Sequence, residues 1–164
     1  MANSVDSTVE QQEKTMIGWR EWVRLPDLGQ IEIKAKIDTG ARTSALHAYF
    51  VEPFEVEGRS WVRFGLHPRQ KDTHVQVECE APVVDRRRVT DSGGHSEMRY
   101  VIATTLMLGN TAFSAEVTLT DRENMLFRML LGRGALKPHF LVDSDQSFVL
   151  GGSKFLPPSE LSHS

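Results

Sequence analysis

The sequence predicts an all-β domain closed into a barrel. Short runs of alternating apolar and polar residues recur along the chain, as in 31–37 and 61–66. Turn residues separate such runs, as at Gly58-Arg59 and Gly109-Asn110. Helical periodicity is almost absent, and no internal repeat appears. Many short strands with little helix close well into a barrel, because closure removes the open strand edges.

Each element follows in order. Residues 1–15 are polar and read as a disordered tail ahead of a domain at 16–151, with a flexible tail at 152–164. Residues 17–25 read as a first strand, with Trp19 and Trp22 as packing anchors. Pro26 to Gln30 reads as a tight turn. In 31–37, Ile31, Ile33, Ala35 and Ile37 alternate with Glu32, Lys34 and Lys36, which is a half-buried strand. Residues 43–50 begin as a helical turn and continue extended to Glu57. Strands at 61–66 and 75–83 flank a polar loop at 67–73. Residues 88–102 form a hairpin with Asp91-Ser-Gly-Gly-His-Ser96 at its tip, where paired glycines allow close approach to a ligand. Strands follow at 100–108, 112–119 and 126–131. A helical turn at 133–138 stops at Pro138, and brief strands at 140–142 and 147–150 close the domain.

Composition narrows the function. The chain has 164 residues and a net charge of −3, so nothing suggests a nucleic-acid surface. Arg86-Arg87-Arg88 reads as a solvated hairpin shoulder. No apolar run approaches the length of a membrane span. The first residues lack a basic, then apolar, secretory signal. A single cysteine, Cys79, precludes an internal disulfide and fits a reducing, cytoplasmic compartment.

The chemistry centres on Asp38. The strand at 31–37 delivers it, Gly40 permits a sharp turn, and Thr39 braces that turn. Ile37-Asp38-Thr39-Gly40-Ala41 resembles the catalytic turn of retropepsin-type aspartic peptidases. The longer run from Asp38 to Leu46 resembles a bacterial branch labelled ATP-dependent zinc protease. Met129-Leu-Leu-Gly132-Arg133-Gly134-Ala-Leu136 matches the second retropepsin segment, with Glu97-Met-Arg99 and Thr118-Leu-Thr-Asp-Arg122 between the two.

The resemblance implies a single-lobe acid-protease barrel with extra strands between residues 50 and 84. It implies an aspartic endopeptidase-like hydrolase whose catalytic turn is Asp38, Thr39 and Gly40. Two carboxylates sharing one proton activate a water. One Asp turn per chain then requires a homodimer with both Asp38 groups on its two-fold axis. The hairpin at 88–102 would be the flap. Substrate contacts are expected at Ala41, Arg42, His47, Gly93, Gly94, His95, Glu97, Arg99 and Arg133. The arginines favour an acidic peptide or polyglutamate tail, in association with an ATP-grasp glutamate ligase. The mechanism needs no metal or cofactor.

Competing readings stay open. Asp91-Ser92-Gly93 is itself an Asp-Ser-Gly triplet, and Asp143 follows an apolar run, so either could supply a second carboxylate within one chain. Glu97 and Arg99 share a strand face and could simply pair, while Arg122 could reach a buried carboxylate. His67, His74 and Cys79 could hold zinc, although no His-Glu-x-x-His run exists. Ser44 lies near Asp38 and His47 without a Gly-x-Ser-x-Gly motif. No Gly-x-x-x-x-Gly-Lys-Ser/Thr phosphate loop is present. The alternatives to the peptidase are a catalytically inactive retropepsin-like peptide-binding module and a zinc-dependent peptidase.

Overall fold

A computed structural model describes residues 14–70, 72–91, 93–122 and 125–152. Most of the two expected tails lies outside these residues. The elements run β1 (Thr15–Ile17), β2 (Arg20–Leu25), β3 (Ile31–Ile37), β4 (Ser44–His47), β5 (Phe50–Val56), β6 (Arg59–Leu66), β7 (Val77–Pro82), β8 (Asp85–Thr90), β9 (Ser96–Leu108), β10 (Thr111–Thr120), β11 (Met129–Leu131), the helical turn α1 (Arg133–Leu136) and β12 (Phe140–Val142).

The fold class is the one the alternation predicts. Strands β9, β2, β3, β11, β4 and β10 neighbour one another in that order, and β10 pairs back with β9 to close a six-stranded barrel. The β3–β11 and β4–β10 pairs are parallel, while β2–β3 and β9–β10 are antiparallel. The inward faces carry Val23, Leu25, Ile33, Leu46, Leu106, Met129 and Leu131, all fully or almost fully buried. Strand β8 lies outside the ring and forms a hairpin with β9. The extra strands β5, β6 and β7 make a separate three-stranded sheet. Among the described residues no helix is long and apolar enough to cross a membrane.

Turn chemistry fixes the hairpins. Glu57 and Gly58 both adopt positive φ, of 50° and 78°, between the paired Val56 and Arg59. That is the twist a two-residue hairpin turn needs. Cys79 on β7 is buried, and burial pushes its thiol up to about 11. It therefore stays a protonated, apolar-like core residue.

Several sequence expectations are corrected. The first strand is interrupted at Gly18, where a Cβ would lie 2.2 Å from the Gln146 carbonyl oxygen. Residues 44–47 are strand, not helical turn, because β10 and β11 supply ladder partners on both sides. Arg86 to Arg88 do lie on a hairpin shoulder, within β8 where it pairs with β9. Lys34, expected to face water, is 3 % exposed, because Trp22 and Phe148 cover it with their rings 5.6 and 5.7 Å from its ammonium. Residues 147–150 form no strand. Phe148 has a φ of 52°, and the backbone N–H groups of Val149 and Leu150 donate instead to the fully buried Glu21 carboxylate. Gly18 donates to the same carboxylate at 2.7 Å. Residues 140–142 do form a strand, β12, which runs parallel to β1 within the chain, with Thr15 opposite Phe140.

Candidate functional site

The site is built where β3 ends. Asp38 continues the β3–β11 ladder by donating its N–H to the Leu131 carbonyl at 2.8 Å. The chain then reverses. Ala41 N–H donates to the Asp38 carbonyl at 3.2 Å, and Gly40 N–H donates to Asp38 Oδ1 at 3.1 Å. The segment after β11 clamps this turn from behind. Arg133 and Gly134 N–H donate to the carbonyls of Ala41 and Arg42 at 2.8 and 3.1 Å. The Arg133 guanidinium donates to the carbonyls of Thr39 and Gly40, each at 3.0 Å. Gly132 must be glycine, since a Cβ there would sit 2.8 Å from the Thr43 backbone. Its N–H donates to the buried Ser44 hydroxyl at 3.1 Å. The two motifs read from the sequence are thus one interlocked structure.

Asp38 opens into a cleft of about 570 Å³. Gly40, Ala41 and Thr43 form one wall; Val89, Thr90 and Asp91 of the β8–β9 hairpin form another. Arg99, Thr120 and Arg122 complete its polar lining. Arg122 donates to Asp91 Oδ2 at 2.5 Å, and His95 N–H donates to Asp91 Oδ1 at 2.9 Å. The His95 amide, with help from the Arg122 guanidinium, holds the Asp91 carboxyl below its ordinary range. Arg99 Nε donates to Glu97 at 2.6 Å, and the Thr120 hydroxyl donates to the same carboxylate oxygen at 3.0 Å. The Arg99 side chain is nearly buried, so this pair fixes its direction.

The structure divides the expected site residues. Asp38, Gly40, Ala41 and Arg99 line the cleft, and Asp91, weighed as a second carboxylate, joins them. Arg42 lies just beyond it, in an adjoining cavity. Glu97 is engaged by Arg99 and Thr120, and Arg133 by the turn carbonyls. His47 is not a wall of the cleft. It is buried, with Nδ1 3.4 Å from Arg128. His95 is exposed at the hairpin tip, and Gly93 and Gly94 sit beside it, outside the cleft lining. Asp143 instead accepts the Asp145 N–H in a local turn. Thr120 was not foreseen, although the Thr118–Arg122 run was the signal for it.

Among the described residues no group of three or more His, Cys, Asp or Glu side chains could hold a metal. The proposed zinc set is dispersed: His67 stacks on Tyr49, and His74 pairs with Asp72 at 3.2 Å.

Comparison with known proteins adds the functional context. Residues 16–151 match the RimB-like family, described as retropepsin-like aspartic endopeptidase RimB. A protein of Shewanella pealeana named Probable alpha-L-glutamate ligase is 50% identical over 138 residues, covering 84% of this chain and 30% of that protein. A protein of the same name from Parasynechococcus marenigrum is 44% identical over the same shares of each chain. The chain therefore spans about a third of the length of the curated relatives it matches. A crystal structure of a Legionella pneumophila protein of unknown function superposes with a TM-score of 0.68 at 26% identity, covering 83% of this chain and 98% of that one.

These findings correct the sequence reading in four respects. The matching family is RimB-like, not a branch labelled ATP-dependent zinc protease. The curated relatives are named for glutamate ligation, so hydrolysis by a dimeric Asp38 pair is withdrawn as the chain's function, along with its hydrolase class. The homodimer expectation, which rested on that pair, is withdrawn too. A glutamate ligase is also not a separate partner of this sequence in those relatives, because the matching stretch is part of the ligase-named protein itself.

Proposed function

The chain belongs to the RimB-like family, and from that premise we propose that it serves alpha-L-glutamate ligation by holding the glutamyl group to be joined. The single observation that supports this most is the cleft's charge pattern. Two guanidiniums, Arg99 and Arg122, line one cavity with the Asp38 carboxylate, and the second carboxylate there, Asp91, is already taken by Arg122 and the His95 N–H. Glutamate carries the complementary set of two carboxylates and one ammonium. Arginine suits a carboxylate because its planar fork can donate two parallel hydrogen bonds.

Ligation joins an activated carboxyl to an amine. On this reading the arginines orient the glutamyl carboxylates and Asp38 holds the amine, accepting its proton as the C–N bond forms and the activating group leaves the acyl carbon with the electron pair of the bond that breaks. The residues here do not fit a nucleotide. The sequence has no phosphate loop, and the cleft presents the acidic Asp38 and Asp91. We assign carboxyl activation to the remaining length of the relatives, and place the reaction in the cytoplasm, where the lone Cys79 thiol would remain reduced.

Calorimetric titration of the chain with L-glutamate and with tri-α-glutamate tests this. Binding should weaken about tenfold in Arg122→Gln, the loss of roughly 1.4 kcal/mol expected for one charged contact. Absence of binding, or binding indifferent to Arg122, would overturn the assignment. So would cleavage of the tripeptide that disappears in Asp38→Asn.

A further inference from the structure

The three-stranded sheet of β5, β6 and β7 has two unlike faces. Val62, Phe64, Cys79 and Ala81 share its inner face and are buried. Strand pleating puts the residues between them on the outer face, in cross-strand rows. Phe50 and Glu78 stand in one row, Glu52, Arg63 and Glu80 in the next, and Phe54, Trp61 and Pro82 in the third. None of these residues lines the Asp38 cleft.

The first two rows already hold a cation. The Arg63 guanidinium lies over the Phe50 ring at 5.4 Å, donates to Glu52 at 2.6 Å and has Glu78 3.9 Å away. An aromatic ring attracts a cation through its negative face, and a carboxylate beside it fixes the charge. The third row offers the same parts again. The Phe54 and Trp61 rings lie 6.2 Å apart and are half-buried. Glu80, one row away, is exposed and forms no ion pair among the described residues. Val56, 40% exposed, extends the apolar strip toward the turn. Three carboxylates, Glu52, Glu78 and Glu80, share this face with two guanidiniums, Arg59 and Arg63, so the face is acidic as well as aromatic.

We propose that this outer face docks a basic segment of another protein, with one lysine or arginine of that segment across the Trp61 ring and beside Glu80, and an apolar neighbour against Phe54 and Val56. Trp61 is the ring type that binds cations best. The excess of carboxylates selects a cationic partner and repels an acidic peptide or a nucleic acid. The proposal stands independently of the glutamyl-binding reading, because it uses no residue of the cleft.

The experiment is a calorimetric titration of the full chain with an N-acetylated hexapeptide of alternating arginine and leucine. A hexapeptide of alternating glutamate and leucine, and an oligothymidylate, serve as the contrasting probes. The basic peptide should bind, more weakly as salt is raised, and the other two should not. Glu80→Gln and Trp61→Phe should each weaken binding about threefold, and the double variant about tenfold. Arg59→Gln, which removes a competing cation, should tighten it about twofold. Asp38→Asn should leave it unchanged. Trp61→Phe keeps an aromatic ring against Phe54, and Glu80→Gln alters only an exposed group, so both variants should fold. No binding of the basic peptide, binding indifferent to both Glu80 and Trp61, binding lost in Asp38→Asn, or equal binding of an anionic probe would each overturn the docking face.

Discussion

Two aspartate turns face each other across the same cleft, and they are held in opposite ways. The Asp38 turn is fastened by backbone: its carbonyls accept from Ala41, Arg133 and Gly134, and Gly132 packs against Thr43 with no room for a side chain. Among the described residues its carboxylate accepts only the Gly40 N–H, through one oxygen. The Asp91 turn is fastened by its carboxylate, which takes the His95 N–H on one oxygen and Arg122 on the other. A Cβ on the nearby Gly94 would meet no described residue within 4 Å. A carboxylate whose turn is held by other atoms is left available for a ligand. One that holds the turn itself is not, and this separates Asp38 from Asp91 despite their similar local sequences.

The largest test of this contrast is steric. Gly132→Ala places a Cβ 2.8 Å from the Thr43 backbone. Overpacking of that kind costs about 3 kcal/mol at the upper end of its range, a fall in Tm of about 6–12 °C. Gly94→Ala has open space and faces only its φ of 87°, so it should cost about 1 kcal/mol. Equal losses in thermal melts would erase the distinction.

A pH series separates the two carboxylates next. The folded Asp91 carboxyl lies below its ordinary value of 3.8. Its contribution to stability is therefore complete above that value and lost as pH falls through the lower, folded value. Urea unfolding of the protein and of Asp91→Asn should show a stability gap at neutral pH that narrows only below about pH 4. A gap that is constant down to pH 2 would mean that the carboxylate is not holding the turn.

The smallest expected effect is at the other aspartate. Asp38→Asn keeps an oxygen for Gly40 N–H, so stability should change by no more than about 0.5 kcal/mol. A larger loss would show that Asp38, like Asp91, supports its own turn.

The contrast also explains what the sequence disclosed. The Asp38 turn and the Gly132-Arg133 segment were legible because each is contiguous and each carries its own glycine. The all-β class was legible from period-two alternation in β3 of the barrel and in β6 of the separate sheet. The opposite wall of the cleft was harder, since Asp91, Arg99, Thr120 and Arg122 come together only through the register of β8, β9 and β10. His47 was misplaced because nearness in sequence to Asp38 says nothing about which neighbour its ring meets, and Arg128 is 81 residues away. Lys34 broke its alternation because two aromatic rings from other segments cover it. Residues 147–150 have the apolar content of a strand but meet a side chain instead of a ladder.

That side chain is Glu21. Three amides from two distant, irregular stretches converge on its carboxylate. A single acidic residue on β2 thus seals the seam where the opening and closing segments of the barrel meet, without a further pair of strands. The closing segment is thus tied down twice, by its amides on that one anion and by the Phe148 ring that lies over Lys34 and stacks on Trp22.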